Sequence, residues 1–260
     1  MKGYAKPLHE FIEGHKIQFV IPVYQRNYDW LIDNCDQLFS DLVKLSRSNR
    51  CSHFFGSIVT SSADSSYNRL VIDGQQRLTT ISLLLLAGIK AVKVGAIEIS
   101  EESKIDEAYE VFLKAKFCNS ERKIKLVPIE NDRIAYDKIF NEEDSFDEDS
   151  KVTRNYRHFY DLLTRKPQAL SFDQLLDAIE RLQIISIELD SDDDAQLIFE
   201  SLNSTGLALT EADKIRNYLL MSLTPEEQHM CFKNYWQKIE QATENQPTKF
   251  LRDYLTIQQQ

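Results

Sequence analysis

Short apolar runs and longer amphipathic stretches alternate along the chain, and the change of period between them predicts where strands give way to helices. Residues 70–72 form an apolar run that predicts a buried strand, and residues 75–89 follow with apolar side chains at helical spacing. The predicted inner face of that helix carries Leu78, Ile81, Leu84, Leu85 and Ile89. The chain is therefore expected to turn from strand to helix at residues 73–74.

The same two periods predict elements along most of the chain. Apolar runs predict strands over residues 17–21, 53–60 and 185–190, and 53–60 is expected to form a hairpin with 69–73. Helical spacing predicts a short helix around Leu8, Phe11 and Ile12, helices over residues 29–46, 102–116, 130–140, 152–164, 171–182 and 195–202, and further helices that begin at Thr210 and Thr224.

Helices with charged faces fill residues 96–180 and interrupt the strands. We therefore predict an α/β (α+β) fold with a small mixed sheet, a large helical insertion and a helical C-terminal tail. The predicted parts are an α/β core at 1–95, the helical insertion at 96–182, a returning strand and helices that complete the core at 183–222, and the helical tail at 223–260.

The composition is typical of globular proteins, with 42% hydrophobic and 28% charged residues in a chain of 260. The longest apolar run, residues 81–89, is far shorter than the roughly 20 residues that span a bilayer. The N-terminus lacks an apolar segment with a small-residue cleavage site, and the four cysteines include no CxxC pair. We expect no membrane contact, a cytoplasmic location and reduced thiols.

The balance of charge is acidic, with a formal net charge of −10 at pH 7. A protein that binds nucleic acid over its whole surface neutralises phosphates with Lys and Arg. The acidic excess argues against that class and leaves a local basic groove open. The acidic segment at residues 141–150 is most simply a solvated loop rather than a metal site.

The turn between the predicted strand and helix carries candidate chemistry. Asp73 and Gly74 suit a tight turn, and the N–H groups that follow lie at the positive end of the helix dipole, where phosphate binds. Arg77, one turn into the helix, can add a forked contact to the same anion. The alternative is structural: Asp73 caps the helix, and Gln75, Gln76 and Arg77 form its solvated first turn.

A second candidate lies in IPVYQRNYDW, residues 21–30, where aromatic, amide and guanidinium side chains are concentrated. Such side chains stack on bases and make forked contacts to phosphates or base edges. The candidate residues are Tyr24, Gln25, Arg26, Tyr28 and Trp30. The alternative is an aromatic patch that covers the core, with Arg26 in a structural ion pair.

A third dense stretch is residues 190–221. Residues 190–194 place four aspartates at the start of a predicted helix, where carboxylates offset the helix dipole without a metal ion. Asn203 and Gly206 are permissive residues that can end this helix, and Arg216 is a polar candidate on the helix that follows.

Together these three stretches resemble one family. In order and spacing they are similar to the N-terminal domain of GmrSD-type restriction endonucleases. The three segments are YQRNYDW at 24–30, IDGQQRLTT at 72–80 and FESLNSTGLALTEADKIRNYLL at 199–220. The resemblance spans about residues 8–221 and rests on three motifs, so it is more specific than any one of them. It implies that the sheet is of the ParB/sulfiredoxin-like type.

The resemblance also implies roles for individual residues. The DGQQR segment is linked to nucleotide binding and hydrolysis in that family, and the residues implied for catalysis are Asp73, Gln75, Gln76 and Arg77. The residues implied for nucleotide binding are Gly74, Arg26, Asn203, Gly206 and Arg216. The residues implied for sensing DNA or another ligand are Tyr24, Gln25, Tyr28 and Trp30. No protein ligand for a metal ion is implied.

The implied cofactor is a nucleoside triphosphate with Mg²⁺, and the implied partners are modified DNA and an HNH-type nuclease domain or subunit. Whether the chain forms a homo-oligomer is left open by the resemblance. The five histidines are isolated, so we expect nuclease activity to be absent from these 260 residues. Two alternatives stand beside a nucleotide-hydrolysing sensor: a module that binds modified DNA without hydrolysis, and a structural subunit that maintains an interface with a nuclease.

Overall fold

The computed structural model describes residues 1–62, 67–118, 123–143, 145–165, 170–190, 192–203, 209–244 and 246–258, without the side chains at positions 200, 202, 203 and 225. Its residues group into two compact units. The larger comprises Met1–Ile21 and Asn27–Ser191, and the smaller comprises Pro22–Arg26 and Asp192–Gln260. The segment at 21–30 is therefore divided twice, after Ile21 and after Arg26.

A mixed sheet lies in the larger unit. Its strands within the described residues are β1 (Lys2–Pro7), β2 (Gln18–Val20), β3 (His53–Ser62), β4 (Asn68–Asp73), β5 (Leu126–Val127) and β6 (Leu182–Leu189). Their order is β1-β6-β3-β4-β2-β5. The strand β3 runs antiparallel to β4 and parallel to β6. The predicted hairpin and the predicted α+β class are both confirmed.

The described helices are more numerous than the strands and form the rest of both units. They are α1 (Leu8–Ile12), α2 (Ile32–Ser46), α3 (Gln75–Lys93), α4 (Ser103–Ala108), α5 (Glu130–Phe140), α6 (Lys151–Thr164), α7 (Phe172–Glu180), α8 (Ala195–Asn203), α9 (Glu211–Leu220), α10 (Pro225–Cys231), α11 (Gln237–Ala242) and α12 (Pro247–Gln258). Tyr109–Leu113 and Phe232–Trp236 are π-helical continuations of α4 and α10.

The core of the larger unit surrounds α3. Almost every residue of this helix is buried, including Gln75, Gln76 and Ser82, which are not on the predicted inner face. The reason is that α6, α7 and β5 all pack against it. A Cβ at Gly88 would lie 2.9 Å from Leu175 Cδ2, so this glycine permits the close approach of α7.

The predicted helix over residues 102–116 is divided in the structure. It is α-helical to Ala108, π-helical over Tyr109–Leu113, and extended at Lys114. The ammonium group of Lys125, whose residue is 1% exposed, donates to the carbonyl oxygen of Glu110 at 3.3 Å and to that of Val111. A distant side chain thus binds carbonyl oxygens of the π-helical turn, which no local pattern could indicate.

The strand β1 was not predicted. Its sequence, KGYAKP, has no alternation of apolar and polar residues, and most of its side chains are exposed. It forms because its backbone pairs with β6 at the edge of the sheet, from Lys2 opposite Glu188 to Pro7 opposite Gln183. Backbone pairing with a strand 180 residues away is a tertiary effect.

The smaller unit has a core of its own, formed by Tyr24, Ala212, Leu220, Phe232 and Trp236. Capping boxes begin α9 at Thr210 and α10 at Thr224, as their sequences predict. Across the described parts of both units, no helix combines the length and the apolar character needed to cross a bilayer.

Candidate functional site

The turn from β4 to α3 is built around Gly74. This residue has φ +100° and is the N-cap of α3, with no side-chain cap. A Cβ at this position would lie 3.0 Å from Ile58 Cγ1 and 3.3 Å from Ile58 Cα. Both the conformation and the space therefore require glycine. The first hydrogen bond of the helix runs from the Leu78 N–H to the Gly74 carbonyl at 3.0 Å, so the helix begins at Gln75, facing the turn with its first N–H groups.

Asp73 does not cap the helix but pairs with Arg77. Arg77 Nη2 donates to Asp73 Oδ2 at 2.9 Å and to the Ser57 carbonyl at 2.6 Å. A Cβ at Gly56, where φ is +116°, would lie 3.2 Å from Arg77 Nε. Glycine in the middle of β3 therefore makes room for the guanidinium group. A glycine inside a strand commonly marks such a close approach of another group.

The guanidinium group of Arg77 has unused donors. Its Nε is buried and, among the described residues, has no hydrogen-bond partner, and Nη2 donates both hydrogen bonds of the group. The side chains of Arg77 and Asp73 are 24% and 20% exposed. The ion pair is therefore partly in contact with solvent, while Nε is not.

Gln76 holds the backbone of the neighbouring loop. Its Oε1 accepts from the N–H groups of Asp29 at 2.8 Å and Trp30 at 3.2 Å, and its Nε2 donates to the Asn27 carbonyl at 3.3 Å. Gln75 and Gln76 are both buried. The alternative of a solvated first turn is therefore wrong for these two side chains, because a buried amide is stable only when its donors and acceptors are paired.

Tyr28 lies in the core rather than on a surface. It is 4% exposed, its hydroxyl lies 2.7 Å from Thr80 Oγ1, and Asn155 Nδ2 donates to that hydroxyl at 3.0 Å. Burial raises the pKa of Tyr28 well above its usual value. Asn155 also donates to the Trp30 carbonyl at 2.9 Å, so one side chain of α6 fixes both aromatic positions of this loop.

Asp132 is a further anchor of the loop. Its Oδ2 accepts from the Tyr28 N–H at 2.6 Å. Burial raises the pKa of its carboxyl group to about 6, although the hydrogen bond from Tyr28 by itself lowers that pKa. Lys151 pairs with Asp29 beside it. Sequence reasoning missed Asp132, Asn155 and Lys151, since they lie about 100 residues or more from the loop they bind and belong to no motif.

Arg216 is at the centre of a buried network in the smaller unit. Its Nε donates to the Tyr24 carbonyl at 2.8 Å, Nη1 to Glu240 at 2.8 Å and Nη2 to Asp213 at 2.7 Å. Trp236 Nε1 donates to the same Glu240 oxygen at 2.8 Å. All three nitrogens of this guanidinium group are therefore bound to protein, and the network ties the start of the 21–30 segment to α9 and α11.

The remaining predicted residues are distributed between the two units. In the smaller unit, Gln25 is buried and Arg26 is partly exposed. Asn203 ends α8, but its side chain and the whole of Gly206 lie outside the described residues. The larger unit brings Asp73, Gly74, Gln76 and Arg77 together with the loop of Tyr28 and Trp30.

A divalent cation would find few protein ligands at the turn. No group of three or more His, Cys, Asp or Glu in the described part of the chain is arranged to hold a metal ion. Mg²⁺ is commonly bound by one or two carboxylates together with phosphates and water. Asp73, partly exposed beside the helix N-terminus, fits that mode as a single ligand.

The comparison with known proteins identifies the family. The family described as "GmrSD restriction endonuclease, N-terminal domain" matches residues 8–220, and a search of curated proteins found no match. The matched region contains all three motifs and covers most of the chain, which confirms the resemblance. The chain therefore belongs to the GmrSD restriction endonuclease N-terminal domain family, and its function is related to restriction.

Proposed function

We propose that this chain is a cytoplasmic sensor domain of a GmrSD-like, modification-dependent anti-phage restriction system, and that it binds and hydrolyses a nucleoside triphosphate. The observation that carries the proposal is the turn at Gly74. There, the first N–H groups of α3 and the partly exposed Asp73–Arg77 pair lie side by side. Hydrolysis would license cleavage of modified DNA by an HNH-type nuclease in another domain or subunit.

Binding would use the positive end of α3. The groups available for binding would be the N–H groups of the first turn and Arg77 Nη1, which donates to neither Asp73 nor Ser57. Arg77 Nε is buried beside Gly56 and would not take part. Helix N-termini and guanidinium forks are both strong phosphate ligands. Ion pairing with Asp73 holds the guanidinium in place before a phosphate arrives, which reduces the entropy that binding would cost.

The bound triphosphate with Mg²⁺ would supply a phosphoanhydride bond that water can break. Asp73 would hold a water molecule or a hydrated Mg²⁺ ion through its carboxylate. Gln75 or Gln76 would position the water.

The test compares three variants with the wild type by titration with a fluorescent triphosphate and by phosphate release. Arg77→Lys keeps the charge and loses the fork, and we expect about tenfold weaker binding. Asp73→Asn should lower the rate of hydrolysis more than the affinity. Arg47→Ala, which changes an exposed arginine of the same unit, is the control. Wild-type affinity and wild-type turnover in folded Arg77→Lys and Asp73→Asn proteins would contradict the proposal.

A second candidate function is non-hydrolytic binding of modified DNA. The observation that favours it is that the polar side chains of Asp73 and Gln76 are both engaged within the protein, which suits a rigid recognition surface more than a catalytic one. Titration with modified and unmodified duplexes at two salt concentrations distinguishes the candidates. Modification-selective binding without triphosphate, together with no phosphate release, would establish the second.

A further inference from the structure

A series of buried hydrogen bonds links α6 to the first turn of α3. Asn155 Nδ2 donates to the Tyr28 hydroxyl at 3.0 Å, and that hydroxyl lies 2.7 Å from Thr80 Oγ1. Thr80 Oγ1 in turn donates to the Gln76 carbonyl at 2.7 Å. The residues Asn155, Tyr28 and Thr80 are at most 4% exposed. No step of the proposed function uses Thr80 or Asn155.

The protons in this series have one possible arrangement. Asn155 Nδ2 also binds the Trp30 carbonyl at 2.9 Å, and a carbonyl only accepts, so the nitrogen of this amide faces the loop and donates. At the other end, the Gln76 carbonyl takes the single hydroxyl proton of Thr80. The Tyr28 hydroxyl must therefore accept from Asn155 and donate to Thr80. Because a carbonyl oxygen fixes each end, the series cannot reverse.

The side chain of Gln76 closes the series into a ring. Its Oε1 accepts from the N–H groups of Asp29 and Trp30, and its Nε2 donates to the Asn27 carbonyl. The carbonyl of Trp30 returns to Asn155. Gln76 is thus bound through both its amide side chain and its backbone carbonyl.

The hydrogen-bond ring, as we call this closed set, bears directly on the N–H of Gln76. Its members are Asn155, Tyr28, Thr80, Gln76 and Trp30. Gln76 is the second residue of α3, so its N–H is one of the donors for which a helix provides no acceptor. The proposed function uses such donors to bind phosphate. The ring holds the carbonyl and the side chain of the same residue, so the position of this N–H is set before a phosphate arrives. A donor held in advance loses less freedom on binding.

We propose that Thr80, Tyr28 and Asn155 are positioning residues of the triphosphate site. They act through Gln76, by holding its N–H and the first turn of α3 in the geometry that binds phosphate. None of the three would contact the phosphate or the attacking water, since all are buried beneath the loop and the helix. The inference rests on the proposed function, because it concerns the same site.

The first test measures the Kd of a fluorescent triphosphate with variants that open the ring. Thr80→Val keeps the shape of the side chain and removes its hydroxyl, and Tyr28→Phe removes the preceding hydroxyl. We expect each to weaken binding about three- to tenfold, the usual effect of one lost hydrogen bond. Thr80→Ser keeps the hydroxyl and should bind with nearly the wild-type Kd. Loss of affinity in Thr80→Ser equal to that in Thr80→Val would overturn the proposal.

A matched control removes a hydroxyl elsewhere on α3. Ser82 is buried and donates to the Leu78 carbonyl at 3.0 Å, which repeats the local bond of Thr80 outside the ring. Ser82→Ala should leave the Kd of the triphosphate unchanged. A loss of affinity equal to that of Thr80→Val would show that any buried hydroxyl of the helix has this effect, and would overturn the assignment.

The double variant Thr80→Val/Tyr28→Phe separates positioning from stability. In Thr80→Val, the Tyr28 hydroxyl is buried without its oxygen acceptor, and the neighbouring Cys35 thiol is a weak substitute. Tyr28→Phe removes that unpaired donor, so thermal unfolding should show that part of the lost stability returns. The ring remains open, so the affinity for triphosphate should not return. Recovery of affinity together with stability would show that these hydrogen bonds only stabilise the fold, and would overturn the proposal.

Amide exchange provides a readout without triphosphate. The N–H groups of Asp29 and Trp30 should exchange faster in Thr80→Val than in wild type or Ser82→Ala, because their acceptor Gln76 is then less firmly held. Unchanged exchange would contradict the ring as the source of this order. Wild-type protein that binds no triphosphate would overturn the proposed function and this inference together. Equal binding by wild type and folded Thr80→Val would overturn the inference alone.

Discussion

The carboxyl group of Asp132 should make the larger unit less stable as the pH rises. The side chain is buried beside the Tyr28 N–H, and its pKa is raised from 3.8 to about 6. Between these two values the native state binds more protons than the unfolded chain, so the free energy of unfolding falls with rising pH. Above pH 6 the native carboxyl group is charged, and the cost of burying it is fully present.

The size of the effect follows from the shift. A difference of about two pKa units corresponds to about 3 kcal/mol, at about 1.4 kcal/mol per unit. Asparagine at position 132 keeps an oxygen that accepts from the Tyr28 N–H but carries no charge. We expect the free energies of unfolding of wild type and Asp132→Asn to be similar near pH 4. Above pH 7 the variant should be more stable by up to about 3 kcal/mol.

The assay is urea unfolding of both proteins at intervals from pH 4 to 8, followed by tryptophan fluorescence and circular dichroism. Trp30 lies in the loop that Asp132 holds and reports the larger unit. Asp33→Asn, at an exposed position of α2, controls for a general change of charge. A difference between wild type and Asp132→Asn that does not vary with pH would refute the reasoning, and so would a loss of stability in the variant at pH 7.

Three further predictions concern other buried features. Gly74→Ala should lower the free energy of unfolding by about 1–3 kcal/mol, since φ is +100° and a Cβ meets Ile58; thermal unfolding measures it. Burial lowers the pKa of Lys125 from 10.5 to about 8. Between these values the native protein binds fewer protons than the unfolded chain, so the free energy of unfolding of the wild type should rise relative to that of Lys125→Met as the pH increases from 7.5 to 10. Arg216→Met should cost about 3–5 kcal/mol by leaving Asp213 and Glu240 without their cationic partner, seen as faster amide exchange in the smaller unit; unchanged exchange would contradict it.

Several parts of the site could be located from the sequence because their causes are local. The period changes from strand to helix at residues 73–74, and glycine is the residue that adopts a positive φ there without strain. The capping boxes at Thr210 and Thr224 follow for the same reason, since their partners lie three residues away. Segment order and spacing also sufficed to identify the family.

The partners of the polar side chains were not predictable. Gln76 lies in the first turn of a helix, where a polar residue is normally solvated, and it binds backbone groups 46 and 47 residues away in the sequence. Arg216 looks like a ligand-binding arginine in its motif, but its nitrogens bind Tyr24, Asp213 and Glu240. Nothing in either local pattern distinguishes a group that binds ligand from one that binds protein.

The sequence by itself determined the fold class, the strand-to-helix turn at Gly74 and membership of a restriction family, because each depends on local periodicity, backbone conformation or motif order. Only the tertiary structure decided that Asp73 pairs with Arg77 beside Gly56, and that Gln76, Asp132 and Asn155 hold one loop. Burial and hydrogen-bond partners depend on which distant segments pack together, and a local pattern in the sequence does not show which segments those are.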